Sequence, residues 1–162
     1  MSNDFVSRFG GIYEHSPWVA ERVMPVLGSG ELDRELLARL MADCVDNAAV
    51  ETQLELIRAH PDLAGKAQVA GELTADSTEE QSRAGLDQCS AEEYQQFQAL
   101  NSAYKDKFGF PFIMAVREST RAEILESFSA RVENDYDTEF ETALQEIHKI
   151  ARLRLAAMEQ TL

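Results

Sequence analysis

His60 is followed at once by Pro61, at the end of a stretch whose apolar residues recur at helical spacing. At a helix C-terminus the dipole and the unpaired carbonyls favour imidazolium, and the proline restricts the backbone that aims the ring. The position predicts a histidine that can both give and take a proton near neutral pH, which is what general acid–base work requires. The plainer alternative is that His60 only caps its helix. Glu80 is the carboxylate that could orient such an imidazole or handle a second proton, although its spacing from Ser77 also fits a capping box. A helix starting around Ser77 to Gln81 would offer free N–H groups to an anionic or carbonyl-rich ligand. Gln81 adds a donor and an acceptor together, as a heterocyclic amide demands. Near the C-terminus, Arg154 sits beside Leu155 where the apolar stripe passes, while Arg152 lies on a different face. A partly buried arginine needs an anion, either a ligand carboxylate gripped by its planar fork or a glutamate of the protein. His15 and His148 read as structural, the first beside a helix cap and the second on a charged amphipathic helix. His60 with Asp62 lacks the i, i+4 spacing of helical zinc sites and no second histidine pair supplies further ligands, so no metal site is expected.

Helices must position these groups, because strict two-residue alternation is nearly absent from the chain. The periodicity predicts an all-α, single-domain helical bundle over residues 1–162, with about seven to nine helices. Ser16-Pro17 reads as a cap and first turn for a short helix through Trp18, Val19, Arg22 and Val23 that ends near Pro25, and Gly28-Ser29-Gly30 as a turn. Leu32, Leu36, Leu37, Leu40 and Met41 form the next stripe; Val50, Leu54 and Ile57 form another that must stop before Pro61. Residues 61–76 read as an irregular segment long enough to be functional. Ser77 reads as the cap of a short helix to about Gln88, and Ser90 with Glu93 as a capping box for a helix burying Tyr94, Phe97, Leu100, Tyr104 and Phe108. The run 109–116, G-F-P-F-I-M-A-V, has no helical punctuation and its Pro111 argues against a central strand, so an extended, buried connector is expected there. Ser119 then reads as the cap of a helix carrying Ile124, Leu125, Phe128 and Val132. The last helix shows Phe140, Leu144, Ile147, Ala151, Leu155 and Met158 at three- and four-residue steps.

Composition narrows the partners. At 162 residues, 44% hydrophobic and 27% charged, the chain can bury one sizeable core. With 29 acidic residues against 15 basic ones, its formal charge of −14 repels phosphate backbones and anionic lipid, so neither nucleic acid nor membrane is an expected partner. The N-terminal residues show no basic segment followed by an apolar one, and no apolar run approaches the length of a bilayer span, which points to the cytoplasm. Cys44 and Cys89 form neither a CxxC pair nor a zinc pattern, so both are expected as reduced, packed thiols.

Five ordered motifs then stand out: H-P-D-L-A-G at 60–65, S-T-E-E-Q at 77–81, A-G-L at 84–86, F-G-F-P-F-I at 108–113 and R-L-R-L at 152–155. Together they resemble the OHCU decarboxylase family, with a likeness running in order from about Phe9 to Leu155. The resemblance implies an all-α, cofactor-free carboxy-lyase, commonly a homodimer. Such an enzyme converts 2-oxo-4-hydroxy-4-carboxy-5-ureidoimidazoline to (S)-allantoin and CO2, the last step from urate to allantoin. Carried over position by position, it makes His60 the catalytic acid/base, Glu80 its partner and Pro61 a substrate contact. Ser77, Thr78, Glu79 and Gln81 match the element that holds the ureido and ring groups. Phe112, Ile113, Met114, Ala115 and Val116 match a connector whose backbone lines the pocket, and Arg154 matches the arginine that meets the substrate. Eukaryotic relatives often end in a peroxisomal signal; this chain ends Gln160-Thr161-Leu162, which favours bacterial cytosol.

The implied chemistry suits these residues. The carbon that loses CO2 lies next to a ring C=N, so the substrate supplies its own electron sink, and the protein must provide orientation, a dry pocket and a placed proton. A net charge of −14 opposes the approach of an anion, so local groups such as Arg154 and helix N–H groups near Ser77 must outweigh it. Two other classes compete: a helical binding or regulatory module holding a purine-derived heterocycle without turnover, and a metal-dependent hydrolase that chelation would inactivate.

Overall fold

Side-chain oxygens fix where several helices begin. Asp33 accepts from the backbone N–H of Glu35 and Leu36, Thr74 from that of Ser77, and Ser90 and Thr120 each form a full capping box with Glu93 and Glu123. The computed structural model describes residues 2–27, 33–64, 74–86, 89–117 and 119–160. Among them stand α1 (Ser2–Phe9), α2 (Trp18–Val23), α3 (Arg34–Asp46), α4 (Val50–Arg58), α5 (Ala75–Arg83), α6 (Ala91–Phe108), α7 (Arg121–Arg131) and α8 (Tyr136–Gln160). A 3-10 turn over Met24–Val26 follows α2, and no strand occurs among the described residues. The fold is all-α.

Three expected caps move. Ser16 donates its hydroxyl to the carbonyl of Glu14 and caps nothing, because Pro17 already holds helical φ and ψ at the cap position of α2. Ser77 lies inside α5, which starts two residues earlier under the Thr74 hydroxyl; the Ser77–Glu80 capping box is therefore not formed. Thr120, not Ser119, caps α7. Two apolar stripes also turn: α3 buries Leu37, Met41 and Val45 and exposes Leu36, while α4 buries Leu56 and Ile57 and exposes Val50. The turn at 28–30, Leu32, residues 65–73 and Gln88 lie outside the described residues.

The chain divides into two compact units, residues 1–59 with 148–162, and residues 60–147. In the first, Phe9, Tyr13, Leu37, Met41 and Ile57 are buried, and His148 bridges Tyr13 Oη at 2.8 Å and Asp46 Oδ1 at 2.9 Å. His148 thus has the structural place expected of it. His15 is exposed, with φ of +49°. In the second unit an aromatic cluster surrounds Tyr104. Phe108, Phe110, Phe112 and Phe128 all have ring centroids within 6 Å of it, and Phe112 stacks on Phe128 at 3.9 Å. The connector is extended and buried as expected, with Phe110, Pro111, Phe112, Ile113 and Val116 out of solvent and Met114 and Ala115 half-buried. Neither cysteine is in a disulfide.

Candidate active site

α4 ends at Arg58, and His60 follows two residues later, 8% exposed, with Pro61 and Asp62 half-buried beyond it. The loop it opens has no regular partner for its backbone groups, and buried backbone polar groups need partners. Three side chains supply them, and a fourth pairs with a side chain of the loop. Gln81 of α5 accepts from the Ala64 N–H at 3.0 Å and donates to the Asp62 carbonyl at 3.3 Å. From α6, Gln98 donates to the Ala64 carbonyl at 2.8 Å, Asn101 donates to the Leu63 carbonyl at 3.0 Å, and Lys105 pairs with the Asp62 carboxylate at 2.7 Å. Ala64 sits at φ +52°, a conformation that costs a non-glycine residue roughly 1–2 kcal/mol, and both its N–H and its C=O are gripped. The segment carrying His60 is thereby fixed to α5 and α6.

α5 holds the second motif. Ser77 and Gln81 are buried, Glu80 is half-buried, and Thr78 and Glu79 face solvent. The Gln81 amide already serves the loop through one donor and its oxygen, leaving one N–H. Thr78 spends its hydroxyl on the Thr74 carbonyl at 2.9 Å. The Glu79 carboxylate pairs with Arg83 at 3.0 Å and with Arg117 at 3.3 Å. Arg117 directly follows the connector, so this contact ties the connector's end to the helix of Ser77–Gln81. The 61–64 loop, α5 and the end of the connector are thus linked in one unit.

The connector is held by two charges. Arg131 of α7 donates to the Ile113 carbonyl at 2.6 Å and stands 4.3 Å over the Phe112 ring. Glu146 accepts from the Ala115 N–H at 3.1 Å. Arg131 is paired in turn with fully buried Glu139 at 2.8 Å.

In the other unit Arg154 is 4% exposed and pairs with buried Glu14 at 2.9 Å, donating also to the carbonyls of Gly11 and Ile12. The choice between neighbouring arginines is sharp in burial: Arg152 is exposed and lines a cavity of about 540 Å³ with Arg34, Arg39 and Asp33. Among the described residues, no three His, Cys, Asp or Glu side chains converge to hold a metal ion, and no helix is long and apolar enough to cross a membrane.

Sequence reasoning missed Gln98, Asn101 and Lys105, Arg117, Arg131 with Glu139, and Glu14. The first three had a signal: they lie three and four residues apart, beside the α6 stripe of Phe97, Tyr104 and Phe108. The others meet their partners through tertiary structure and leave no local pattern.

The family model for OHCU decarboxylase matches residues 1–156. A 2-oxo-4-hydroxy-4-carboxy-5-ureidoimidazoline decarboxylase of Haloferax volcanii is 46% identical over 154 residues, covering 95% of this chain and 88% of the relative. A crystal structure of (S)-allantoin synthase superposes with a TM-score of 0.76 at 34% identity, over 97% of this chain and 50% of that one. A crystal structure of OHCU decarboxylase in the presence of (S)-allantoin gives 0.70 at 31% identity, over 87% and 89%. With the five motifs in order and a match along nearly the whole length, this chain belongs to the OHCU decarboxylase family.

Proposed function

We propose that this protein decarboxylates 2-oxo-4-hydroxy-4-carboxy-5-ureidoimidazoline to (S)-allantoin and CO2, with His60 and Glu80 as its acid–base pair. The observation that carries this reading is the buried His60, held in a loop gripped by Gln81, the residue next to Glu80, in a chain of this family. The bond to CO2 breaks and its electron pair forms a C=C bond, while the pair of the adjacent ring C=N takes a proton at nitrogen. The resulting enol loses its hydroxyl proton and gains one at the ureido-bearing carbon. His60 delivers that last proton from one side, which sets the S configuration, and Glu80 keeps the imidazole oriented and handles the hydroxyl proton. The backbone of Phe112–Val116, with Pro61, Ser77 and the remaining Gln81 N–H, is assigned to substrate contact. Arg154 is assigned to the substrate's negative charge on the family likeness, and the accompanying expectation is a raised KM for Arg154→Lys. The working form proposed is a cytoplasmic homodimer, checked by sedimentation of the purified protein.

The deciding experiment generates the intermediate from urate in situ, adds the protein, and follows the circular dichroism of allantoin. Rapid build-up of the S enantiomer, unaffected by exhaustive chelation, is expected. His60→Ala should lower kcat by about 10² to 10⁴. Near-normal turnover by that variant would remove the mechanism, and an intermediate that decays at its uncatalysed rate beside wild-type protein would remove the function.

A further inference from the structure

The connector over 110–116 has no strand to pair with among the described residues, and its Ile113 carbonyl and Ala115 N–H are met by side chains instead. Arg131 meets it twice, at the Ile113 carbonyl (2.6 Å) and over the Phe112 ring (4.3 Å). The guanidinium is itself aimed from behind. Its Nε donates to Glu139 Oε1 at 2.8 Å, and that carboxylate also accepts from Tyr104 Oη at 2.7 Å and Asn134 Nδ2 at 3.0 Å. Glu139 is wholly out of solvent. An ion pair with a buried carboxylate and a half-buried guanidinium is a weak source of stability, because apolar side chains of the same volume often serve as well or better. Arg131 Nη2 even stays buried without a hydrogen-bond partner. What this pair does that an apolar pair could not is hold one carbonyl of an unpaired backbone segment in a fixed direction. The adjoining N–H of Ala115 is held by Glu146, so the geometry on both sides of Met114 is set by charged side chains.

We propose that Arg131, fixed by Glu139, is a positioning residue that sets how the Ile113–Ala115 backbone is presented to substrate, and so governs KM rather than the proton transfers; this rests on the decarboxylase reading above. Arg131→Lys keeps the charge but cannot bond Glu139 and the Ile113 carbonyl with a planar fork.

The test compares wild type, Arg131→Lys and Glu139→Gln by kcat and KM, thermal unfolding, and amide hydrogen exchange at Met114–Val116. Losing the charge-assisted bond to Ile113 should raise KM about tenfold, leaving kcat within about twofold on the folded protein. Exchange should quicken in the connector and stay slow in α7. If Arg131→Lys does not fold, Glu139→Gln, which frees the guanidinium without altering it, is read on the same scale. A lowered melting temperature with unchanged KM and unchanged exchange makes Arg131 a core pair only and overturns the proposal. If wild-type protein shows no turnover, the decarboxylase reading fails, and exchange alone decides: a loosened connector supports the Arg131 grip and an unchanged one overturns it.

Discussion

Two arginine–glutamate pairs with buried carboxylates, one in each unit, hold irregular backbone in different ways. Arg154 joins Glu14 to the carbonyls of Gly11 and Ile12, so its carboxylate partner lies in the very segment that it grips. Arg131 grips the Ile113 carbonyl while its partner Glu139 lies on α8, behind it, and serves Tyr104 and Asn134 as well. The first arrangement ties one segment to one helix. The second is a relay, in which a carboxylate shared by three donors aims an arginine at a fourth group. The connector has a further anchor in its aromatic rings, since Phe110 and Phe112 both pack edge-on against Tyr104. Charge therefore decides direction in the connector, and rings decide position.

The comparison breaks most readily at the carboxylates. Glu139→Ala leaves the half-buried Arg131 guanidinium uncompensated and strips an acceptor from buried Tyr104 and from Asn134, with an expected loss of about 3–5 kcal/mol in urea unfolding. Glu14→Ala leaves Arg154 buried without its paired carboxylate, and a loss of about 3 kcal/mol is expected. A larger loss at Glu14 than at Glu139 would contradict the relay. Replacing Arg131 and Glu139 together by Met and Leu should cost far less than Glu139→Ala alone, because no charge is then stranded.

A smaller effect separates the two units at high pH. Burial raises the Tyr104 pKa above its usual 10, with the Glu139 hydrogen bond and charge adding to it; burial raises that of Tyr13, with the Asp46 charge adding. Below the ordinary tyrosine value both folded and unfolded chains keep these phenols neutral, so nothing is lost. Above about pH 10 the unfolded chain ionises and the folded one resists, so stability falls as pH rises, by up to about 1.4 kcal/mol per pH unit for each tyrosine. The phenolate absorbance of Tyr13 and Tyr104 should thus appear only together with loss of the helical dichroism. Tyr104→Phe and Tyr13→Phe should each move the alkaline midpoint upward. Phenolate signal from either residue in fully helical protein would show that its burial is incomplete.

How much of this was legible in the sequence depended on range. Helical periodicity and the Pro111 exclusion delivered the all-α class and the extended connector, because both rest on neighbours within a turn or two. The Ser90–Glu93 box was legible for the same reason. Ser77 was misread because it and Thr74 offer the same hydroxyl three residues apart, and only the buried placement of Ser77 distinguishes them. The position of His60 after α4 followed from Pro61. The clamp on its loop did not, since Gln98, Asn101 and Lys105 reach residues 34 to 43 positions away. Arg154 was singled out for needing an anion, yet its partner Glu14 lies 140 residues away and nothing local marks it.

Exposure, not pairing as such, should set the energy of these ion pairs, and Glu79 gives the sharpest contrast. Its carboxylate meets two arginines at 3.0 and 3.3 Å, but its side chain is 53% exposed. In water the Coulomb gain is small and two long side chains lose rotamer freedom, so Glu79→Ala should change stability by less than about 1 kcal/mol. That remainder should vanish near 1 M salt, where the screening length is about 3 Å. Losses at Glu14 and Glu139 should persist there, because buried pairs are screened far less. The same variant measures the family-derived substrate role of Glu79: a KM that rises while stability holds assigns the carboxylate to the ligand. A KM that stays level leaves Glu79 as the tether between Arg117 and α5, and a salt-resistant loss comparable to that of Glu14→Ala would mean that exposure does not govern these pairs.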